Sequence, residues 1–134
     1  MSNNETTKYF DLHTNGIGYL NRVREVTPEE GTPFLSVTIA ALRGSVDNVQ
    51  YTYFECHVSG KKAQEIVRQL KSAVEGKLKV LIGFTLSDLY AESFTYKNGD
   101  KAGETGVSLK ARLLSIAWAK VDGQPFIAEQ ETAA

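Results

Sequence analysis

Cysteine is almost absent. Cys56 stands alone in 134 residues, so no internal disulfide can staple the chain. Histidine is nearly as scarce, with only His13 and His57, and with a single cysteine no zinc site of the His/Cys type can be assembled. No apolar run approaches the roughly 20 residues that a membrane-spanning helix needs. The start, Met1-Ser2-Asn3-Asn4-Glu5, lacks the basic and apolar stretches of a signal peptide. A cytoplasmic protein without membrane association is the expectation, and the unpaired cysteine agrees with it. No glycine-rich phosphate loop of the Walker kind occurs. Nor is there an excess of one charge: 15 basic residues face 16 acidic ones, a net of −1.

What is present is an ordinary globular composition, 42% hydrophobic and 23% charged, of one domain's length. The charge is uneven along it. Residues 1–12 and 122–134 are net acidic, and residues 13–121 hold a net +3. His57–Gly83 has six basic residues against two acidic, and Gly106–Val121 has three basic residues and no acidic one. Electrostatic footprints are local, so these segments matter more than the total.

The hydrophobic period is two over most of the chain. After a polar arm, Asn15-Gly16 signals a turn, and a first strand follows over Gly16–Val26. Thr27–Pro33, with two prolines and a glycine, excludes regular structure. In Phe34–Leu42 the residues Leu35, Val37, Ile39 and Ala41 share one face, and Ser36, Thr38 and Ala40 form a polar opposite face. Arg43–Asn48 reads as a connection. Val49–Ser59 is a third strand, with Thr52, Phe54, Cys56 and Val58 inward and Tyr51, Tyr53, Glu55 and His57 outward. The period then changes. Ala63, Ile66, Val67, Leu70 and Val74 make one helical face, which Gly76 ends as a left-handed C′ residue. A fourth strand runs from Lys77 to Ser87 and continues past a bulge to Tyr96. Lys97-Asn98-Gly99-Asp100 reverses the chain, and a fifth strand covers Gly106–Lys120.

Three strands, a helix and two strands is the element order of the OB-fold, a five-stranded Greek-key barrel closed at one end by its helix. The expected class is therefore all-β, with an arm over 1–15, the barrel over 16–122 and a short flexible tail over 123–134. A generic α+β sandwich fits the same string less well.

No catalytic constellation assembles. Cys56 and His57 are adjacent, but neighbouring strand residues point to opposite faces, so the two cannot form a nucleophile–base pair. The chain is read as a non-enzyme without cofactor or metal. Binding a single nucleic-acid strand needs less: aromatic faces for bases and cations for phosphates. Tyr51 and Tyr53 supply the first on strand three, and Phe94 and Tyr96 in the hairpin before Asn98-Gly99. Arg22, Arg24, Lys61, Lys79, Lys97, Lys110 and Arg112 supply the second.

The segment "YTYFECHVSGKKAQEI" resembles the third strand, Gly-Lys turn and helix start of bacterial single-stranded DNA-binding proteins. "GIGYLNRVREV" and "PFLSVTIAAL" are similar to their first two strands, and residues 77–116 to their fourth strand, hairpin and fifth strand. Within that superfamily the chain looks most like the short OB proteins encoded on bacterial integrating conjugative elements. The resemblance implies that Tyr53 takes the place of a base-stacking tryptophan, that Phe94 and Tyr96 lie near another stacking aromatic, and that Lys61 matches the lysine after the family's glycine, here Gly60. It also implies homo-oligomers, dimers or tetramers, acting in replication or transfer of a mobile element. The family's linker and acidic, apolar-ended tip have no counterpart in "GQPFIAEQETAA", so recruitment of replication proteins by that route is not expected. The function expected is sequence-independent binding of single-stranded DNA. The alternative is an OB module that binds protein in a conjugation or replication complex without touching nucleic acid; RNA is a third possibility, because stacking does not read the 2′-OH.

Overall fold

The computed structural model describes residues 9–126. It contains β1 (His13–Val26), β2 (Phe34–Ser45), β3 (Asn48–Val58), α1 (Lys61–Glu75), β4 (Val80–Thr95), β5 (Thr105–Val121) and β6 (Gln124–Pro125). Antiparallel pairing runs β3-β2-β1-β4-β5, and a parallel pairing of β3 with β5 closes the sheet on itself. The result is a closed five-stranded all-β barrel with one helix between β3 and β4, the OB-like architecture.

Alternation fills the inside. Leu35, Val37 and Ile39 of β2 meet Phe54, Cys56 and Val58 of β3 and Ile82, Phe84 and Leu86 of β4 in one buried cluster. Each side chain points inward because it sits on the same phase of a period-two strand. The helix lays Ala63, Ile66, Val67 and Leu70 onto that cluster and covers one end of the barrel. It starts at Gly60 without a side-chain cap. Gly60 is there for space: a Cβ would lie 2.2 Å from the carbonyl oxygen of Leu114 in β5. That close approach lets Ser59 and Gly60 donate N–H bonds to the Leu113 carbonyl and ties the helix start to the barrel.

Several boundaries differ from expectation. β1 begins at His13, inside the expected arm, because His13–Asn15 pair with Thr85–Ser87. Arg43–Asn48 is not a loop. β2 and β3 continue as a ladder to the Ser45–Asn48 pair, and only Val46-Asp47 turns. The helix does not stop on a left-handed glycine. Gly76 has φ −78°, and Lys77 takes the left-handed place at φ 65°. Lys77 N–H donates to the Val74 carbonyl and Leu78 N–H to the Ala73 carbonyl, the bond pair of a Schellman motif one residue later than expected. β4 therefore starts only at Val80. The bulge after Ser87 is present, with Asp88 at φ 57°. Finally, Asp122 (φ 49°) and Gly123 (φ 84°) make a type I′ turn, so Gln124–Pro125 pairs with β5 where a loose tail was expected. The acidic-tip comparison concerns residues beyond these and lies outside the described residues.

Candidate nucleic-acid interface

The outer side of β2 is a floor. Ser36, Thr38 and Ala40 point away from the core cluster and are nonetheless buried, which the expected polar face did not foresee. They are small, and longer side chains on both neighbouring strands cover them. Register places Tyr53 beside Ala40, Glu55 beside Thr38 and His57 beside Ser36. On the β1 side, Tyr19 pairs with Ala40, Asn21 with Thr38 and Arg24 with Ser36. The outward set of β3 is the one alternation implies: Tyr51 and Tyr53 are 44% and 59% exposed, large for rings on a strand.

Toward the C-terminal end of β3 the floor opens into a groove of about 760 Å3. Arg24, Glu55, His57, Tyr90, Lys110 and Arg112 line it, with Asp88 at its edge. Its charges are already matched. Arg24 reaches Glu55 at 3.8 Å, Lys110 reaches Glu92 at 3.1 Å and Arg112 reaches Asp88 at 3.4 Å. Thr38 Oγ1 donates to the Glu55 carboxylate at 3.0 and 3.1 Å, and Arg24 donates to Ser36 Oγ at 3.4 Å. His57 stacks on Phe34 with ring centres 4.3 Å apart and planes within 5°. Burial, and then the Arg112 guanidinium, hold its pKa below the ordinary 6.5. Cys56 lies behind, in the core, its thiol pushed up to about 12 by burial and then by Glu55. It faces away from His57, so the two form no dyad.

The other expected residues are scattered. Phe94 and Tyr96 meet edge to face at 4.9 Å in the β4–β5 hairpin, with Gly106 packed beneath both. Lys101 Nζ sits 5.6 Å from the Tyr96 ring centre, so that ring is partly occupied, while Phe94 stays 42% exposed. Lys97 is exposed at the same hairpin end, past the last β4–β5 pair and away from Tyr53 on β3. Lys61 begins the helix rather than the sheet face. Arg22 is exposed in the β1 bulge, at φ 52°. Lys79 lies across β1 from the floor, in a hollow of about 330 Å3 lined by Tyr19, Leu81, Lys120 and Asp122.

Two aromatic residues were not foreseen as site residues. Tyr19 adjoins Ala40 and so continues the Tyr53 row. Trp118 is 39% exposed on the outside of β5, opposite Gly83. Its signal was in the chain, as the sole tryptophan. The β5 register shifts twice, between Leu113 and Ser115 and again between Ile116 and Trp118, and the two shifts cancel, so alternation from Ala111 and Leu113 puts Trp118 on the outside, where the structure has it.

Among the described residues, no group of three or more His, Cys, Asp or Glu side chains is placed to hold a metal ion, and no helix is long and apolar enough to cross a membrane. The chain belongs to the family described as Protein of unknown function (DUF3577), which it matches over residues 3–134. No curated protein and no solved structure matches it.

Proposed function

We propose that this barrel binds single-stranded DNA without regard to sequence, with bases stacked on the outer face of β3. The observation that carries the reading is the pair Tyr51 and Tyr53, two large rings held open to solvent beside a buried floor of Ser36, Thr38 and Ala40. Rigid exposed rings on a barrel strand are what base stacking requires, and each is worth roughly 1–3 kcal/mol per base. The sequence resemblance to bacterial single-stranded DNA-binding proteins supports the same reading and brings with it a homo-oligomer and a place in replication or transfer of a mobile element. Fluorescence anisotropy with labelled poly-dT and with duplex tests it. The expected result is tighter binding to the single strand, weakening as salt rises through counterion release. Equal and negligible binding to both at low salt would overturn it. Light scattering after size exclusion, with and without poly-dT, reads the oligomer.

A second reading rests on the groove. Its cations each hold an acidic partner, which favours a ligand with charges of both signs, such as a protein segment. Its signature is a stable protein partner together with no affinity for oligonucleotides.

A further inference from the structure

We infer that Trp118 and Lys120 form a second contact point for the single strand, so that the strand turns from Tyr53 across β1 and β4 instead of following the groove. The inference rests on the DNA-binding reading above and gives it a direction. The register of the sheet lines up one outward row: Tyr53 beside Ala40, Ala40 beside Tyr19, Tyr19 beside Leu81, Leu81 beside Lys120. Four strand-to-strand steps make it about 19 Å long. It holds two tyrosines, a leucine and, at its far end, a cation.

Trp118 stands next to that end. Its indole lies against the backbone of Gly83, where a Cβ would come within 2.4 Å of Nε1. The missing side chain at residue 83 is thus the seat of the ring. The ring is held from below and remains 39% exposed, with Ile17, 44% exposed, paired to the same glycine from the β1 side. Lys120 Nζ is 5.9 Å from the ring centre, a flexible ammonium that a phosphate can draw aside. A pinned aromatic beside a mobile cation is the unit from which sequence-tolerant strand binding is built.

Charge decides between the two routes. Along the groove a phosphate must displace Glu55, Glu92 or Asp88 from Arg24, Lys110 or Arg112. At the row's end, the side chains of Lys79 and Lys120 have no acidic partner among the described residues. The one carboxylate there, Asp122, accepts the backbone N–H of Lys79 at 2.9 Å, and it leaves the local balance positive. A polyanion gains more where cations are free.

The test uses the full chain and poly-dT. Trp118 is the sole tryptophan, so its emission reports on this site alone. Emission should change in step with the anisotropy of labelled poly-dT. Trp118→Ala should weaken binding about 5- to 150-fold, the range of one lost stacking contact. Lys120→Glu should weaken it and lower the salt dependence, and this exposed substitution decides the matter if Trp118→Ala fails to fold. Binding by anisotropy with unchanged emission and with Lys120→Glu at parental affinity overturns the inference and leaves the Tyr53 reading standing. No binding at all overturns both. Emission that depends on protein concentration without DNA assigns the Trp118 face to contact between copies of the chain and also overturns it.

Discussion

Two regions of the barrel's outer surface lie a few residues apart and are built on opposite principles. The groove around Glu55 is rich in charge, yet Arg24, Lys110 and Arg112 are each matched by a carboxylate at 3.1–3.8 Å. The row from Tyr53 through Tyr19 toward Trp118 has little charge and large rings, and the side chains of its terminal lysines have no acidic partner among the described residues. Counting cations favours the groove as a nucleic-acid site. Asking what each cation already holds favours the row. Exposed ion pairs add little stability, typically ~0–1 kcal/mol, but each must be broken before a phosphate can use its cation. The useful quantity is therefore free charge beside a free ring.

The largest effect expected is one that destroys both regions together. Gly18 sits in β1 where a Cβ would lie 2.6 Å from the Ala40 carbonyl oxygen and 2.7 Å from the Ala41 Cα. Backbone cannot move aside as a side-chain tip can, so Gly18→Val must part β1 from β2. A loss of ~3 kcal/mol is expected, at the upper end of overpacking costs, seen as one cooperative shift in a denaturant or thermal melt. A melt that splits into two steps would show the row and the groove to be separable units. Tyr53→Ala comes next and acts on the row alone. It should cost about 1–3 kcal/mol of poly-dT binding. At 59% exposure the ring contributes little to the core, so the melting temperature should stay nearly constant. Tyr90→Ala, in the groove, serves as the contrast and should leave binding close to parental. If the two variants exchange these phenotypes, the assignment of the two regions is reversed.

These contrasts also mark what could be read without coordinates. Barrel class and helix position follow from periodicity, because β2 and β3 keep one phase from end to end and the Ala63–Val74 stripe keeps another. Tyr51 and Tyr53 were readable for the same reason: their phase is fixed by Phe54 and Cys56. Phase fails at bulges. Arg22 and Asp88 adopt left-handed backbone in β1 and β4, and the β5 phase changes between Leu113 and Ser115 and back between Ile116 and Trp118. Past such a point, alternation names the wrong face: counted from Ala111 and Leu113 it puts Ile116 outside, and the structure buries it. The helix end shows the same limit, since glycine preference pointed to Gly76 and the hydrogen bonds chose Lys77. Ion pairing was unreadable for a different reason. Arg24 of β1 meets Glu55 of β3 across β2, and Arg112 of β5 meets Asp88 in the bulge of the adjacent β4, so their partnership depends on strand register and on where the bulge falls. A list of basic residues contains no such information.

A smaller effect separates the regions by charge. Glu55→Gln keeps an acceptor for Thr38 and removes the charge that holds Arg24. Stability should fall by no more than ~1 kcal/mol, the scale of an exposed pair. If the strand follows the row, poly-dT affinity should stay within about twofold, since the change lies off its path. A several-fold gain would place phosphates in the groove, where the freed guanidinium can reach them.

The smallest effect expected concerns His57, and its sign is fixed by its surroundings. Burial and the neighbouring Arg112 place its folded pKa below the ordinary 6.5. The unfolded chain therefore takes up this proton first as pH falls. The imidazole's contribution to stability is complete above pH 6.5 and is lost as pH drops below it through the folded pKa. The loss should be slight, because the ring is only partly buried, and His57→Gln should remove it from a pH series of melts. Binding gives the sharper readout. A protonated His57 adds a cation to the groove and none to the row. Poly-dT affinity over the same pH range should thus be alike in the parent and in His57→Gln if the strand crosses β1. An acid-side gain in affinity that His57→Gln abolishes would return the strand to the groove, at the stacked Phe34–His57 pair.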